Sequence, residues 1–346
     1  MMKTFKKHRA YGFFDQDLRL TKLTKLGDPL DRLAKGINFE IFRPILETKL
    51  SLASQKNVGG RPPYDYLLLF KILILQRYYN LSDDQTEYQI NDRMSFMRFL
   101  DLTIADDIPD SKTVWAFREK ITELELVEPI FDLFLAQLVK LGLVLNEGKI
   151  IDASFVEVPR QRNSKEQNEQ IKKGEIPADL AANPHVLAQK DMDATWTKKN
   201  NQTFYGYKNH VKVDNIKKFI LTYLVTTASV HDSQAVDNLL DSTDKEQTIN
   251  ADSAYTGEIQ EATFKKYEVK NEVHEKGYKN KPLTKEQKES NKLKSKVRAR
   301  VEHVFAYMEN SMNQMYLQYI GIKRTTAAIG MMNLVYNMNR KVQLGM

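Results

Sequence analysis

The sequence predicts an α/β fold preceded by an all-helical module. Three observations carry this reading. From Asp31 to about Leu145, apolar residues recur at helical spacing between strong start and stop signals. At Lys149 the pattern changes to short, β-rich segments. Those strands then alternate with helices in the order β, β-β, α, β, α, β, α, with no internal repeat. A chain of 346 residues exceeds the usual single-domain size, so a helical N-terminal domain over 1–145 and an α/β domain over 146–346 are expected.

In the helical part, Pro62 and Pro63 open a mostly apolar helix that runs through Tyr79, where Asn80 supplies a C-terminal cap. Ser82 with Gln85 reads as a capping box for the next helix. Asp110 and Ser111 start another before Val114, Trp115 and Phe117, and an amphipathic helix covers Val127 to Leu141. Short helices joined by tight turns fit a helix-turn-helix-like DNA reader and a plain bundle equally.

Ile150-Ile151-Asp152-Ala153-Ser154-Phe155-Val156 alternates around its aspartate as a strand should. About 158–202 is polar and is expected to be an inserted loop or arm that builds no core. Phe204 to Val213 and Phe219 to Thr227 flank the turn signal Asp214-Asn215 and predict a hairpin. A helix through Leu239-Leu240 follows. A strand over Thr248 to Ala251 ends at Asp252, and after another helix and a strand over Val269 to His274 a long helix runs from about Lys292 to Asn313.

Composition narrows the function. With no cysteine there is no disulfide, zinc-thiolate site or thiol nucleophile, and a bound metal must use oxygen or imidazole ligands. The longest apolar run, Leu67 to Leu75, is interrupted by Lys71 and falls short of the roughly 18 residues that cross a bilayer. The basic N-terminus (Lys3, Lys6, Lys7, Arg9) lacks the apolar segment of a signal peptide, so the expected place is the cytoplasm, with no membrane partner. A net charge of +7 suits a polyanion. Much of the excess is local, because between Tyr278 and Arg300 nine Lys/Arg stand against Glu286 and Glu289. Alone, such a run also fits a solvated loop and helix start.

An acid on the first strand (Asp152), one at the end of a later strand (Asp252) and one on a following helix (Glu302) suit two divalent cations. Mg²⁺ and Mn²⁺ are hard ions that prefer oxygen, and two of them can activate an attacking oxygen and stabilise a leaving one in phosphoryl displacement. Each strand-end aspartate taken singly also fits a turn or cap. The helix of Glu302 has an apolar seam of Val297, Val301, Val304, Phe305 and Met308. Arg298, one turn earlier, shares a side with Glu302, which fits a structural ion pair as well as a site in which the dense basic run draws DNA toward a carboxylate-bound metal.

The segments GRPPYDYLLLFKILILQRYYNLSDDQ, DRMSFMRFLDL and IPDSKTVWAFR, followed by IIDASFVEVP, FYGYKNHVKVD, VTTASVHDSQ, NADSAYTG and KVRARVEHVF, resemble the DDE transposases of bacterial insertion sequences, of the insertion-sequence-five type, over nearly the whole chain. That resemblance implies an RNase H-like mixed sheet flanked by helices, with Asp152, Asp252 and Glu302 as catalytic residues holding two Mg²⁺ (or Mn²⁺) ions. It implies an N-terminal domain that holds transposon ends, terminal inverted repeats and target DNA as partners, two or more subunits on paired ends, and a nucleoid-associated protein. Of the family's signature around the glutamate, Arg298 and Glu302 fit, whereas Ser295 stands in place of the tyrosine and Glu309 in place of the lysine. Lys292, Lys294, Lys296 and Arg300, with Arg298 and Lys208, are the expected DNA contacts. A nuclease that never joins DNA and a non-catalytic DNA-binding regulator are the rival functions.

Other residues fit lesser roles. Asp191 and Asp193 lie in the polar insertion without expected rigid support. Asp232 after His231 fits a helix cap better than a border of the site. Tyr205, Tyr207 and His210 share a strand with Lys208, so alternation sends some toward DNA and others inward. Trp196 suits packing more than stacking on a base.

Overall fold

The computed structural model describes residues 12–54, 62–158, 161–199, 201–278, 281–312 and 315–345. Lys3, Lys6, Lys7, Arg9, Arg160, Lys279 and Asn313 lie outside them.

The helical part runs as the capping residues dictate. Asp65 accepts from the Leu67 N–H (3.0 Å) and starts the Tyr66–Tyr79 helix three residues beyond the prolines; Asn80 ends it in the left-handed conformation (φ 50°). Ser82 caps Asp83–Asp92 through the Gln85 N–H (3.2 Å), and Asp110 caps Ser111–Glu123 through the Thr113 N–H (2.7 Å). The Val127–Lys140 helix follows.

Six strands form one sheet: β1 (Lys149–Glu157), β2 (Thr195–Lys199), β3 (Gln202–Asp214), β4 (Ile220–Thr227), β5 (Thr248–Ala251) and β6 (Lys270–Val273). β3 is antiparallel to β1 and β4, whereas β1, β5 and β6 are mutually parallel. With β2 set aside, the order β4-β3-β1-β5-β6 is the expected RNase H-like arrangement, and β3–β4 is the expected hairpin. β2 is an addition that extends the first residues of β3, pairing Thr195 with Gly206 through Lys199 with Gln202.

The insertion departs from the expectation that it builds no core. It carries the helices Lys165–Lys172, Ala178–Ala181 and Pro184–Leu187, and packs Ala194, with Trp196 partly buried, against Val158, Tyr205 and Tyr207. Polar residues supply its order. Buried Asn163 donates to the Asp191 carbonyl (2.7 Å), and buried Asn168 donates to the Ala194 carbonyl (3.1 Å) while accepting from the Trp196 N–H (3.2 Å). Asp191, buried as well, accepts from the Tyr207 hydroxyl at 2.8 and 3.0 Å. Its Oδ2 also takes the Gly321 N–H (3.1 Å), and Asp193 takes the Ile322 N–H (2.8 Å). These two acids therefore cap, from another part of the chain, the Ile322–Gln343 helix, whose own N-cap Gly321 has no side chain to offer.

The sequence pattern does not predict that helix, because it is buried on nearly all sides, with Asn333, Asn337 and Asn339 among its buried residues, and shows no amphipathic period. It is buried from Ala328 to Asn339 and packs against the Tyr66–Tyr79 and Val127–Lys140 helices on one side and β4 on the other, so helical part and sheet share one hydrophobic core. Close approach needs Gly330, where a Cβ would fall 2.4 Å from the Tyr223 hydroxyl and 2.7 Å from a Val127 methyl. Polar ties fix the docking: Asn333 exchanges amide bonds with Asn209 (2.8 and 3.2 Å), and Asn337 brackets the backbone of Ile220 (2.9 and 2.8 Å) beside the register shift at Lys212/Val213. On the other half of the sheet, buried Lys149 and Lys212 both bind buried Asp244 (2.6 and 2.8 Å), which locks β1 and β3 to the turn before β5. The long helix spans Lys285–Asn310, two turns earlier than expected, because Thr284 and Gln287 form a capping box.

His210, fully buried on β3, bonds Thr226 Oγ1 through Nε2 (2.8 Å) and leaves Nδ1 unpartnered. Burial pushes its pKa down from 6.5 to about 4. The unfolded chain therefore takes up this proton first, so stability is intact above pH 6.5 and is lost as pH falls toward 4, by about 3 kcal/mol from this residue. Urea unfolding at pH 7 and pH 4.5 is expected to show a smaller acid loss in His210→Gln than in the native chain; equal losses would exclude this group as the cause.

Candidate active site

Parallel pairing of β1 with β5 sets Lys149 opposite Ile249 and Ile150 opposite Asn250. Running on in the same direction, β1 carries Asp152 and β5 ends at Ala251, one residue before Asp252. Asp152 is buried on β1, with Oδ1 accepting from the Ala153 N–H (2.8 Å). Asp252 leaves β5 and caps the short 3₁₀ turn Ser253–Tyr255 through the Ala254 N–H (2.7 Å). The Lys285–Asn310 helix packs on β1 and β5 through Val301, Val304 and Met308, which puts Arg298 and Glu302 over the same strand ends. Arg298 Nη1 donates to Asp152 Oδ2 at 2.8 Å, and Nη2 lies 3.5 Å from Glu302 Oε1. One guanidinium thus spans the strand acid and the helix acid, which are about 150 residues apart in the chain. The i,i+4 ion pair and a shared site are the same contact here.

Burial raises the Asp152 pKa, and the neighbouring Asp252 carboxylate adds to this; the Ala153 N–H and the Arg298 guanidinium oppose it. A second positive charge at this point would favour the ionised form. The available donors are hard carboxylate oxygens, which fit Mg²⁺ or Mn²⁺. Among the described residues, no three acidic or imidazole side chains already stand together as a metal cage. Arg298 occupies the position between Asp152 and Glu302, and Glu302 is mostly exposed (64%).

The remaining sequence candidates separate into surface and scaffold. Lys292 and Lys296 are exposed and share a helix face with exposed Lys285 and Lys288. Lys294 donates to the Val273 carbonyl (3.0 Å) and pairs with Glu272 (3.3 Å), tying the helix to β6. Arg300 bonds Asn215 Oδ1 (2.9 Å) in the β3–β4 turn. Lys208 is buried, with its ammonium on the Val230 carbonyl and on Asp232 Oδ1, both at 2.7 Å, and lies 5.3 Å from the Phe155 ring centre. Asp232 is therefore an internal counter-ion and not the expected cap, which His231 provides. Ser295 donates to the Asn291 carbonyl and meets His274 Nε2 (both 2.8 Å), while His274 Nδ1 meets the Ala251 carbonyl (2.8 Å) beside Asp252.

Sequence reasoning missed Tyr255. Its ring is buried in a cluster with Ile151, Ile249 and Ala251, and its hydroxyl is buried with no hydrogen-bond partner among the described residues. Burial, and then the charges of Asp152, Asp232 and Asp252, push its pKa well up. The only sequence signal was its position three residues after Asp252, one short turn on.

A family model described as a transposase DDE domain matches residues 146–338, and one described as a transposase domain matches residues 18–120. The solved synaptic complex of piggyBac transposase with hairpin DNA is similar over 92% of this chain and 75% of that chain, at 13% identity and a TM-score of 0.45.

Because the Tyr255 hydroxyl has no partner to lose among the described residues, Tyr255→Phe is expected to keep or raise unfolding stability, by up to about 1–3 kcal/mol in urea titrations. A loss of more than about 1 kcal/mol would show that the hydroxyl is bonded in the folded chain.

Proposed function

The chain belongs to the transposase DDE domain family, and from that premise we propose that it is an insertion-sequence transposase of the insertion-sequence-five type that cuts its element's ends and joins them to target DNA at Asp152, Asp252 and Glu302. Its membership makes it a DNA-cutting, transposing enzyme of a family that generally uses divalent metal. The observation that carries the finer reading is the meeting of β1, β5 and the Lys285–Asn310 helix, where one Arg298 guanidinium touches both Asp152 and Glu302 beside Asp252.

Asp152 and Asp252 would hold two Mg²⁺ or Mn²⁺ ions between adjacent strand ends, with Glu302 joining from the helix side. When bound, such ions supply a nucleophile at neutral pH and offset charge on the leaving oxygen. Asp152 is buried and held in orientation by the Ala153 N–H and by Arg298. Exposed Lys285, Lys288, Lys292 and Lys296 would track backbone phosphates toward that point. Water would be the first nucleophile and the freed 3′-hydroxyl the second. The helical N-terminal domain would hold the terminal inverted repeats, with two or more subunits on paired ends. Among the described residues, no helix is long and apolar enough to cross a membrane.

Labelled DNA carrying the element's ends, incubated with Mg²⁺ or Mn²⁺, is expected to give cleaved and joined products that fall at least about 100-fold in Glu302→Gln while binding persists. Tight binding without cleavage by either protein would favour the regulator, and cleavage without joining the nuclease.

A further inference from the structure

Away from the acids, a cleft of ≈ 640 Å³ opens between the helical part and the segment that leads into the Ile322–Gln343 helix. Its walls include Arg77, Trp115, Arg118, Tyr316, Tyr319 and Arg324. Two of its arginines are paired: Arg118 forms a two-point contact with Asp83, one arm at 2.9 Å, and Arg324 binds Glu119 at 2.8 Å. Arg77 is not. It is only 5% exposed, its Nη2 donates to the Tyr319 hydroxyl (2.6 Å), and its Nη1 is buried without a partner among the described residues. No described carboxylate lies within ion-pair reach of it. Arg118 Nε is likewise buried and unpartnered, and the two guanidinium carbons lie 5.2 and 5.3 Å from the Tyr319 ring centre.

A guanidinium stays charged in proteins, and a buried charge without a counter-ion is costly. Burial disfavours the Arg77 charge most, Arg118 adds repulsion, and Asp83, already bound to Arg118, adds attraction from beyond ion-pair reach; three arginines thus stand in this cleft against the two carboxylates of Asp83 and Glu119. The adjoining void under Arg77 has room for about one water, which could satisfy a hydrogen bond but not the charge. The cleft is of ligand size, too small for a duplex. Its lining also carries aromatic surface in Trp115 and Tyr316, 50% and 36% exposed, able to stack on a base.

We propose that this cleft binds one unpaired nucleotide of a DNA strand, its phosphate against Arg77 and Arg118 and its base against Trp115. The proposal rests on the DNA-processing reading above and adds to it a second contact point, remote from the acids and joined to both halves of the chain.

The chain has two tryptophans, so Trp196→Phe leaves Trp115 as the only indole. In this background the full chain is titrated with a short single-stranded oligonucleotide, the same sequence as duplex, and inorganic phosphate. The single strand is expected to quench Trp115 in a salt-sensitive way, at least about tenfold more tightly than either other probe. Arg77→Met, which removes an unbalanced buried charge, is expected to keep the thermal midpoint or raise it while weakening the single strand at least about tenfold. Trp115→Ala, at an exposed position, checks the same loss by anisotropy of a labelled strand even where Arg77→Met does not fold. An unchanged Trp115 signal while a gel shift shows DNA bound would overturn the cleft and leave the DNA reading standing; no binding by either method would overturn both. Equal response to duplex, or to phosphate alone, would overturn the unpaired nucleotide as ligand.

Discussion

The contact on which the site depends is the bridge that Arg298 makes between Asp152 and Glu302. Two like charges on separate elements, with a third at Asp252 beside them, would drive strand end and helix apart. A guanidinium has donors enough, in a fixed planar fork, to serve two carboxylates at once. It is only partly exposed, so its charge is screened less than a surface arginine's would be. On the proposed reading, the guanidinium that balances the acids stands where a cation would, on a long side chain able to move aside.

The scaffold explains why that bridge can form where it does. Lys149 and Lys212 clamp Asp244, tying β1 and β3 to the approach to β5 at the end of the sheet where β1 and β5 pair. On the other face the Ile322–Gln343 helix ties the β3–β4 hairpin to the helical part, bonding the hairpin through Asn333 and Asn337 and sharing one core with both. The N-terminus of that helix is capped by Asp191 and Asp193 of the insertion, whose negative charge suits a helix end. The cleft at Arg77 lies along the same seam.

Five of the six strands, the hairpin and the helix carrying Glu302 were legible because each has a local signature, such as alternation around Asp152, the Asp214-Asn215 turn, and an apolar seam at three- and four-residue spacing; β2 lies in the polar insertion and was not. Helix caps at Asn80, Ser82 and Asp110 were legible for the same reason. What was not legible depends on partners far away in the chain. The last helix shows no amphipathic period because it is enclosed on nearly every side, and its N-terminal caps come from about 130 residues earlier. The insertion looked unable to fold because its order comes from Asn163, Asn168 and Asp191 bonding backbone and hydroxyl groups, which composition does not reveal. Lys208 and Arg300 looked like surface cations, yet one neutralises buried Asp232 and the other holds a turn. Lys292 and Lys296, with no such internal bond, remain on the surface.

The most direct test of a metal-responsive acid cluster balanced by Arg298 is the thermal midpoint of Arg298→Met and the native chain, each with and without Mg²⁺. Without its guanidinium the apo cluster is expected to be less stable, and Mg²⁺ is expected to raise the midpoint of the variant by more than it raises that of the native chain. A Mg²⁺ effect that is absent from both, or equal in both, would contradict the account.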